Sequence, residues 1–227
     1  APASATSKPE DIGIVDIVLF CVKLYDTESA AEAIMPIIGK NTIVVSFLNG
    51  IDGPERIANI IGPKHVIGAA AYASAVIEKP GVVKYKGTRG LLRVGELERT
   101  SSKRLSIFQE LFIDTPIDCE ISKDIAATLW DKFILLATNS GLSCICRSPV
   151  GIVYNDPVLL DLARSMMEEV KALALAQGIL VDPNIVDNSI SWSKSLPKDL
   201  YASMYHDLKQ EKRMELDGMS GYVAKMG

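Results

Sequence analysis

The sequence predicts an α/β domain followed by an all-helical domain, and three observations predict it. Apolar runs rich in Ile and Val, at residues 14–22 and 42–48, are separated by helix-patterned sequence. That alternation belongs to a parallel sheet with covering helices. Shorter apolar segments then follow one another between turn signals, the pattern of antiparallel strands. From Ser122 onward the apolar spacing is helical throughout. The boundary therefore falls near 118–122, with one domain over residues 1–120 and a second over 121–227.

Residues 14–22 form an almost unbroken apolar run, expected as a strand buried on both faces. Asp26 or Thr27 can cap the next helix, which carries Ala30, Ala31, Ala33, Ile34 and Ile37. Residues 42–48 are a second buried strand, closed by Asn49-Gly50, and a short helix starts near Pro54, a favoured first-turn residue. A third strand covers 66–68. Segments 72–77, 82–86 and 91–94 are short strands separated by Lys79-Pro80-Gly81 and residues 87–90, an antiparallel extension of the sheet. A helix at 103–112 and a strand at 117–120 complete the first domain.

Ser122 can cap a helix running through Trp130 and Lys132 toward Asn139, with Gly141, Pro149 and Gly151 breaking the pattern. Residues 157–177 are strongly amphipathic: Leu159, Leu162, Met166, Val170, Leu173 and Ala174 share a face, and Gly178 is a suitable stop. Further helices are expected at 183–192 and from Ser203 to the end.

The 227 residues are 48% hydrophobic, enough for a sizeable core. A net charge of −4 gives no electrostatic reason to expect nucleic acid or an anionic membrane as partner. The apolar runs are far too short to cross a bilayer. The first residues, from Ala1 to Ser7, have neither the basic nor the apolar region of a signal peptide. Cys21, Cys119, Cys144 and Cys146 show no metal-knuckle spacing and are expected as reduced, mostly buried thiols of a cytoplasmic protein. With only His65 and His206, no metal site is expected.

A lysine, an asparagine, a serine and a glutamate from four separate segments could together reduce a carbonyl. Lys132, beside Trp130 and aliphatic side chains, is either a surface lysine or a desolvated one, whose lowered pKa makes it a proton donor near neutral pH. Asn49 follows a strand of a parallel sheet, where ligands bind, and its amide can both donate and accept; Asn-Gly is also an ordinary turn. Lys23 has the same address after the first strand, suited to a ribose or phosphate or to nothing more than a strand end. Ser203 and Glu215 are twelve residues apart, not one face of a single helix, and are also common as a helix cap and a solvated acid.

The segments from Asp16 to Lys23, Leu48-Asn49-Gly50-Ile51, Trp130-Asp131-Lys132-Phe133, Ser203-Met204 with Asp207, and Glu215-Leu216-Asp217 occur in the order and approximate spacing of the ketopantoate reductase (2-dehydropantoate 2-reductase) family, which the chain resembles over essentially its whole length. Pro80-Gly81 and Gly95 are similar too. The resemblance implies that residues 1–120 are a partial Rossmann-like NADP-binding domain and 121–227 a helical substrate and dimerisation domain. It implies reduction of 2-dehydropantoate with NADPH. Lys132 would be the general acid, and Glu215 would orient it or the substrate hydroxyl. Asn49 would lie between nicotinamide and substrate, Ser203 would bind substrate, and Lys23 and Gly50 would join Asn49 in holding the cofactor. Family members carry asparagines one and two turns after the lysine and three residues before the serine. Here those positions are Leu136, Ser140 and Leu200, and Asn139 is displaced from that face. Ser140 is thus a substrate-binding candidate, and Arg147 is a candidate for a substrate carboxylate. The chain has no G-x-G-x-x-G loop, so it resembles a member without its first βαβ portion and without its C-terminal end. The rival expectations are a reductase of another small keto acid, and a catalytically silent sensing or association protein. The apolar terminal helices, without an obvious covering partner, suggest a homodimer.

Overall fold

The computed structural model describes residues 3–73, 75–85 and 89–227, which divide into two compact units. The first comprises the chain to Leu48 and Asp52–Ala126; the second comprises Asn49–Ile51 and Ala127–Gly227.

The first unit holds a five-stranded sheet of order β1-β2-β3-β6-β7. β1 (Val15–Phe20), β2 (Ile38–Ser46) and β3 (Val66–Tyr72) run parallel, joined through α1 (Thr27–Ala33) and α2 (Gly53–Ile61). β6 (Gly90–Glu96) is antiparallel to β3, and β7 (Ile117–Ile121) is parallel to β6. α3 (Lys103–Glu110) lays Leu105 and Phe108 on Ile43, Val45, Ile67, Ala69 and Val94, and this is the core of the unit. The Arg104 guanidinium donates to the buried Glu96 carboxylate and to the Lys64 and Val66 carbonyls, tying α3 to the sheet. Gly95 has a steric reason: a Cβ there would lie 2.9 Å from Ile125 Cβ and 3.0 Å from the Ser122 carbonyl oxygen.

Three expectations about this unit are corrected. β1 is an edge strand rather than one buried on both faces; it pairs only with β2 among the described residues, and Leu19 is 57% exposed. β3 continues to Tyr72, so the 66–68 strand and the start of the 72–77 strand are one element. Of the antiparallel extension, the 91–94 strand joins the main sheet as β6, whereas β4 (Ala75–Lys79) and β5 (Val82–Tyr85) form a separate two-stranded ribbon. The expected strand positions Ser74 and Lys86, and residues 87 and 88 of the turn at 87–90, lie outside the described residues.

The second unit is helical. α4 (Ile125–Cys146) passes unbroken through Gly141, which was expected to interrupt it. A missing side chain there lets Met166 Cε and Ser220 Oγ approach to 3.4 Å of where a Cβ would stand, so packing overrides the poor helix propensity of glycine. α5 (Val150–Val153) is followed by α6 (Pro157–Ala176), whose N-cap Asp156 accepts from the Val158 and Leu159 amides at 2.9 Å. The buried stripe of α6 is Ala163, Met167, Val170, Leu173 and Ala174, rotated from the expected one; Leu162 is 46% exposed. α7 (Ile185–Ser195) packs on α5 and α6. The expected single helix from Ser203 onward is two: α8 (Ser203–Lys209) and α9 (Ser220–Met226). Glu211 stops α8 in the left-handed region at φ 54°, while the Lys212 amide closes back on the Asp207 carbonyl.

The cysteines also differ from expectation. Cys21, just after the edge strand β1, is exposed, and Cys119, Cys144 and Cys146 are half-buried. No described helix is long and apolar enough to cross a membrane.

Candidate active site

α4 is the backbone of the site. Trp130 and Phe133 are buried and meet edge to face, with ring centroids 5.8 Å apart. Tyr222 of α9 adds an edge contact to each, at 6.4 and 6.2 Å. Lys132 stands on the same helical turn as this aromatic cluster. Burial lowers its pKa from 10.5 to about 8, because the low-dielectric surroundings penalise the ammonium. Its Nζ donates to Asn49 Oδ1 at 3.1 Å. Asp131, the preceding residue, accepts from the Asp182 amide at 3.2 Å and so fixes the loop between α6 and α7 against α4.

The structure thus brings together Lys132 and Asn49, two of the residues singled out in the sequence. Gly50 is buried beside Asn49 in the same three-residue segment of the helical unit. Glu215 is buried at 6% exposure, just before a 3-10 turn at Leu216–Gly218, and so is not the solvated acid of the plainer expectation. Ser140 is buried on α4 at 1% exposure. Ser203 is exposed and is the first helical residue of α8; the cap position is Ala202. Lys23 belongs to the sheet unit, half-buried after β1. Arg147 is exposed just beyond α4, with a left-handed φ of 51°. Among the described residues no group of three or more His, Cys, Asp and Glu side chains is placed to hold a metal ion.

Tyr154 was not among the candidates read from the sequence. Its hydroxyl, from the residue after α5, donates to Asn139 Oδ1 at 2.6 Å, and burial pushes its pKa up to about 12. Asn139 lies about 100° from Ser140 on the helix, as expected, but only about 20° from Lys132. The signal that could have found Tyr154 was weak: a single tyrosine in an otherwise aliphatic segment.

A desolvated lysine of lowered pKa held by a side-chain amide can deliver a proton to an oxygen that gains charge. Comparison with known proteins identifies the setting. The family model described as Ketopantoate reductase PanE/ApbA matches residues 1–99, and the one for the C-terminal part of that family matches residues 124–227.

The chain belongs to the ketopantoate reductase family.

It is therefore an oxidoreductase of the ketopantoate reductase type, in a family of dinucleotide-binding reductases. A 2-dehydropantoate 2-reductase of Mesorhizobium japonicum is 26% identical, over all of this chain and 75% of its own length. The crystal structure of a PanE/ApbA family ketopantoate reductase from Ralstonia eutropha superposes with a TM-score of 0.89 at 28% identity, covering 99% of this chain and 72% of that one. D-mandelate dehydrogenase, solved in complex with NADH, shares the fold with a TM-score of 0.85 at 22% identity, covering 94% of this chain and 72% of that one.

Proposed function

We propose that this ketopantoate reductase homologue reduces a 2-oxoacid, 2-dehydropantoate in the first instance, using NADPH, with Lys132 as the general acid. The observation that carries the proposal is the buried Lys132 ammonium, its pKa near 8, donating to Asn49. A group with that pKa is mostly protonated at neutral pH yet releases its proton readily.

The cofactor is proposed from the chemistry of the donors. Lys23 follows β1 and Asn49 follows β2, two parallel neighbours whose carboxyl ends are the ligand-binding ends in such sheets. Lys23 offers a cation for a ribose or phosphate. Asn49, with Oδ1 engaged by Lys132, retains an amide donor, and Gly50 puts no side chain beside it. These residues fit a dinucleotide. When bound, the reduced nicotinamide supplies the hydride that the ketone carbon receives.

Lys132 does the proton work. Its Nζ holds the proton, with Asn49 fixing its direction, and passes it to the ketone oxygen as negative charge develops there. Burial of Trp130 and Phe133 on the same helix keeps water from competing for that proton. Glu215, a buried carboxylate, orients the ammonium or the substrate hydroxyl, while Ser203 and Ser140 offer hydroxyls to the substrate. Steady-state turnover with 2-dehydropantoate and NADPH tests the reading. Loss of activity in Lys132→Ala with unchanged folding supports it; an equally active Lys132→Ala overturns it.

The same reading makes the protein a cytoplasmic homodimer. Ile145, Val158 and Leu180 of the helical unit expose 79%, 75% and 80% of their surface, a cost that pairing would relieve. Sedimentation at micromolar concentration should give two chains; a single chain overturns the dimer.

A further inference from the structure

Arg56 of α2 is a cation that the mechanism above does not use, and it lies with Lys23 in the sheet unit. All three nitrogens of its guanidinium are engaged by the protein. Nε donates to Glu28 Oε1 and Nη2 to Glu28 Oε2, both at 2.7 Å, the two-pronged match of a planar fork to a carboxylate. Nη2 also donates to the Leu24 carbonyl oxygen at 2.9 Å, and Nη1 stands 3.6 Å from Asp52 Oδ2. Asp52 Oδ1 is buried with no hydrogen-bond partner among the described residues, so the charge of Arg56 offsets the burial of that carboxylate. A cation so committed has little left to offer a phosphate directly. What it holds is the loop after β1. Leu24 is buried at 2% exposure, and its carbonyl also accepts from the Thr27 amide and, at 2.7 Å, from the Thr27 hydroxyl. Lys23 directly precedes it in extended backbone, its own carbonyl accepting from the Asp26 amide at 2.9 Å. The turn that begins at Lys23 is thus closed from within by Asp26 and Thr27, and tied to a second element by Arg56, 32 positions beyond Leu24.

We infer that Arg56 is a positioning residue for the dinucleotide: its guanidinium fixes the Leu24 carbonyl, and through it the direction in which the backbone presents Lys23 to a ribose or phosphate. The inference rests on the reading of Lys23 as a cofactor contact. The physical basis is preorganisation. A loop already fixed in its bound conformation loses less freedom on binding, so more of the contact energy appears as affinity. Arginine suits the task for two reasons. Hydrogen bonds from a charged donor are stronger than neutral ones, and a guanidinium keeps its charge at every working pH. Its planar fork grips Glu28 with two bonds and still reaches Leu24, whereas a lysine at this position would keep the charge and lose the fork.

The test is a double-mutant cycle read by NADPH binding, through fluorescence titration in the absence of substrate. Lys23→Ala and Arg56→Ala should each raise Kd by about tenfold. The double variant should bind within about twofold of Lys23→Ala, because the direction of a side chain that is gone no longer matters. Arg56→Lys keeps the charge and serves where Arg56→Ala fails to fold; it should raise Kd by about threefold or more, and that effect too should vanish once Lys23 is replaced. A purely structural role for Arg56 would weaken NADPH by the same factor with Lys23 present or absent. Such additivity overturns the inference, as does an unchanged Kd in either folded Arg56 variant. An unchanged Kd in Lys23→Ala has a different meaning, because it removes the cofactor contact of Lys23 and this inference falls with it. Absence of binding of both NADPH and NADH by the wild type removes the dinucleotide reading itself, and the inference with it.

Discussion

Burial of Lys132 has two measurable consequences, one in rate and one in stability. As a general acid it must be protonated, so kcat should be level at low pH and fall as pH rises through about 8. A profile that stays flat to pH 10 would assign the proton to another group. Lys132→Ala should cost about 10² to 10⁴ in kcat at neutral pH. The stability effect has the opposite sense. The folded pKa is depressed from 10.5, so between about 8 and 10.5 the unfolded chain binds a proton that the folded chain does not. Stability therefore rises with pH across that window, by up to ~3 kcal/mol, and the gain is lost as pH falls through 8. Lys132→Met should abolish this rise and melt higher than wild type at pH 7, by several degrees. Thermal melts from pH 7 to 10.5 check it, and parallel curves for the two proteins would show that Lys132 is not desolvated. Tyr154→Phe leaves Asn139 Oδ1 without its 2.6 Å donor and should cost ~1–3 kcal/mol.

Two glycines on neighbouring helices separate what an element tolerates from what it does not. At Gly151 a Cβ would stand 2.5 Å from the Lys198 carbonyl oxygen and 2.6 Å from its Cα, both backbone atoms that cannot turn aside. Gly151→Ala should therefore cost ~1–3 kcal/mol by overpacking and displace the turn that leads to Ser203. At Gly141 the nearest atoms are 3.4 Å away, the tips of Met166 and Ser220. Gly141→Ala gains about 1 kcal/mol of helix propensity against mild crowding, so the net change should stay within ~1 kcal/mol. Denaturant titrations of the two variants distinguish them, and equal losses would refute the contrast. Asp156→Ala removes a cap that accepts two amides at 2.9 Å, and should cost ~1 kcal/mol.

For the whole molecule, the strongest expectation is linkage to the cofactor. A dinucleotide held only by the folded chain stabilises it by ~2.7 kcal/mol at a hundredfold excess over Kd. For a chain of this size that is a rise in Tm of roughly 5–11 °C. NADPH should produce the shift at lower concentration than NADH, and the reverse order would change the proposed cofactor. Thermal melts of the chain with and without each dinucleotide check it.

Periodicity and capping in the sequence determined the α/β-plus-helical class, the three parallel strands, and the helices at Gly53–Ile61, Lys103–Glu110 and Pro157–Ala176, while Lys132 and Asn49 stood out through their strand-end and tryptophan-flanked settings and the family resemblance of their segments. These depend on local chemistry: β-branched runs favour strands, and Pro, Asp and Gly at helix ends act within one turn. Other features needed the tertiary structure because they depend on what lies opposite in space. The edge position of β1 followed from which strands pair, and the separate ribbon of β4 and β5 from which do not. The passage of α4 through Gly141 was decided by Met166 and Ser220, and the end of α8 by one left-handed residue. Asn49 and Lys132 are 83 positions apart, and no local rule brings their side chains to 3.1 Å. The lowered pKa of Lys132 has the same origin, since desolvation is set by the neighbours that folding gathers around a charge.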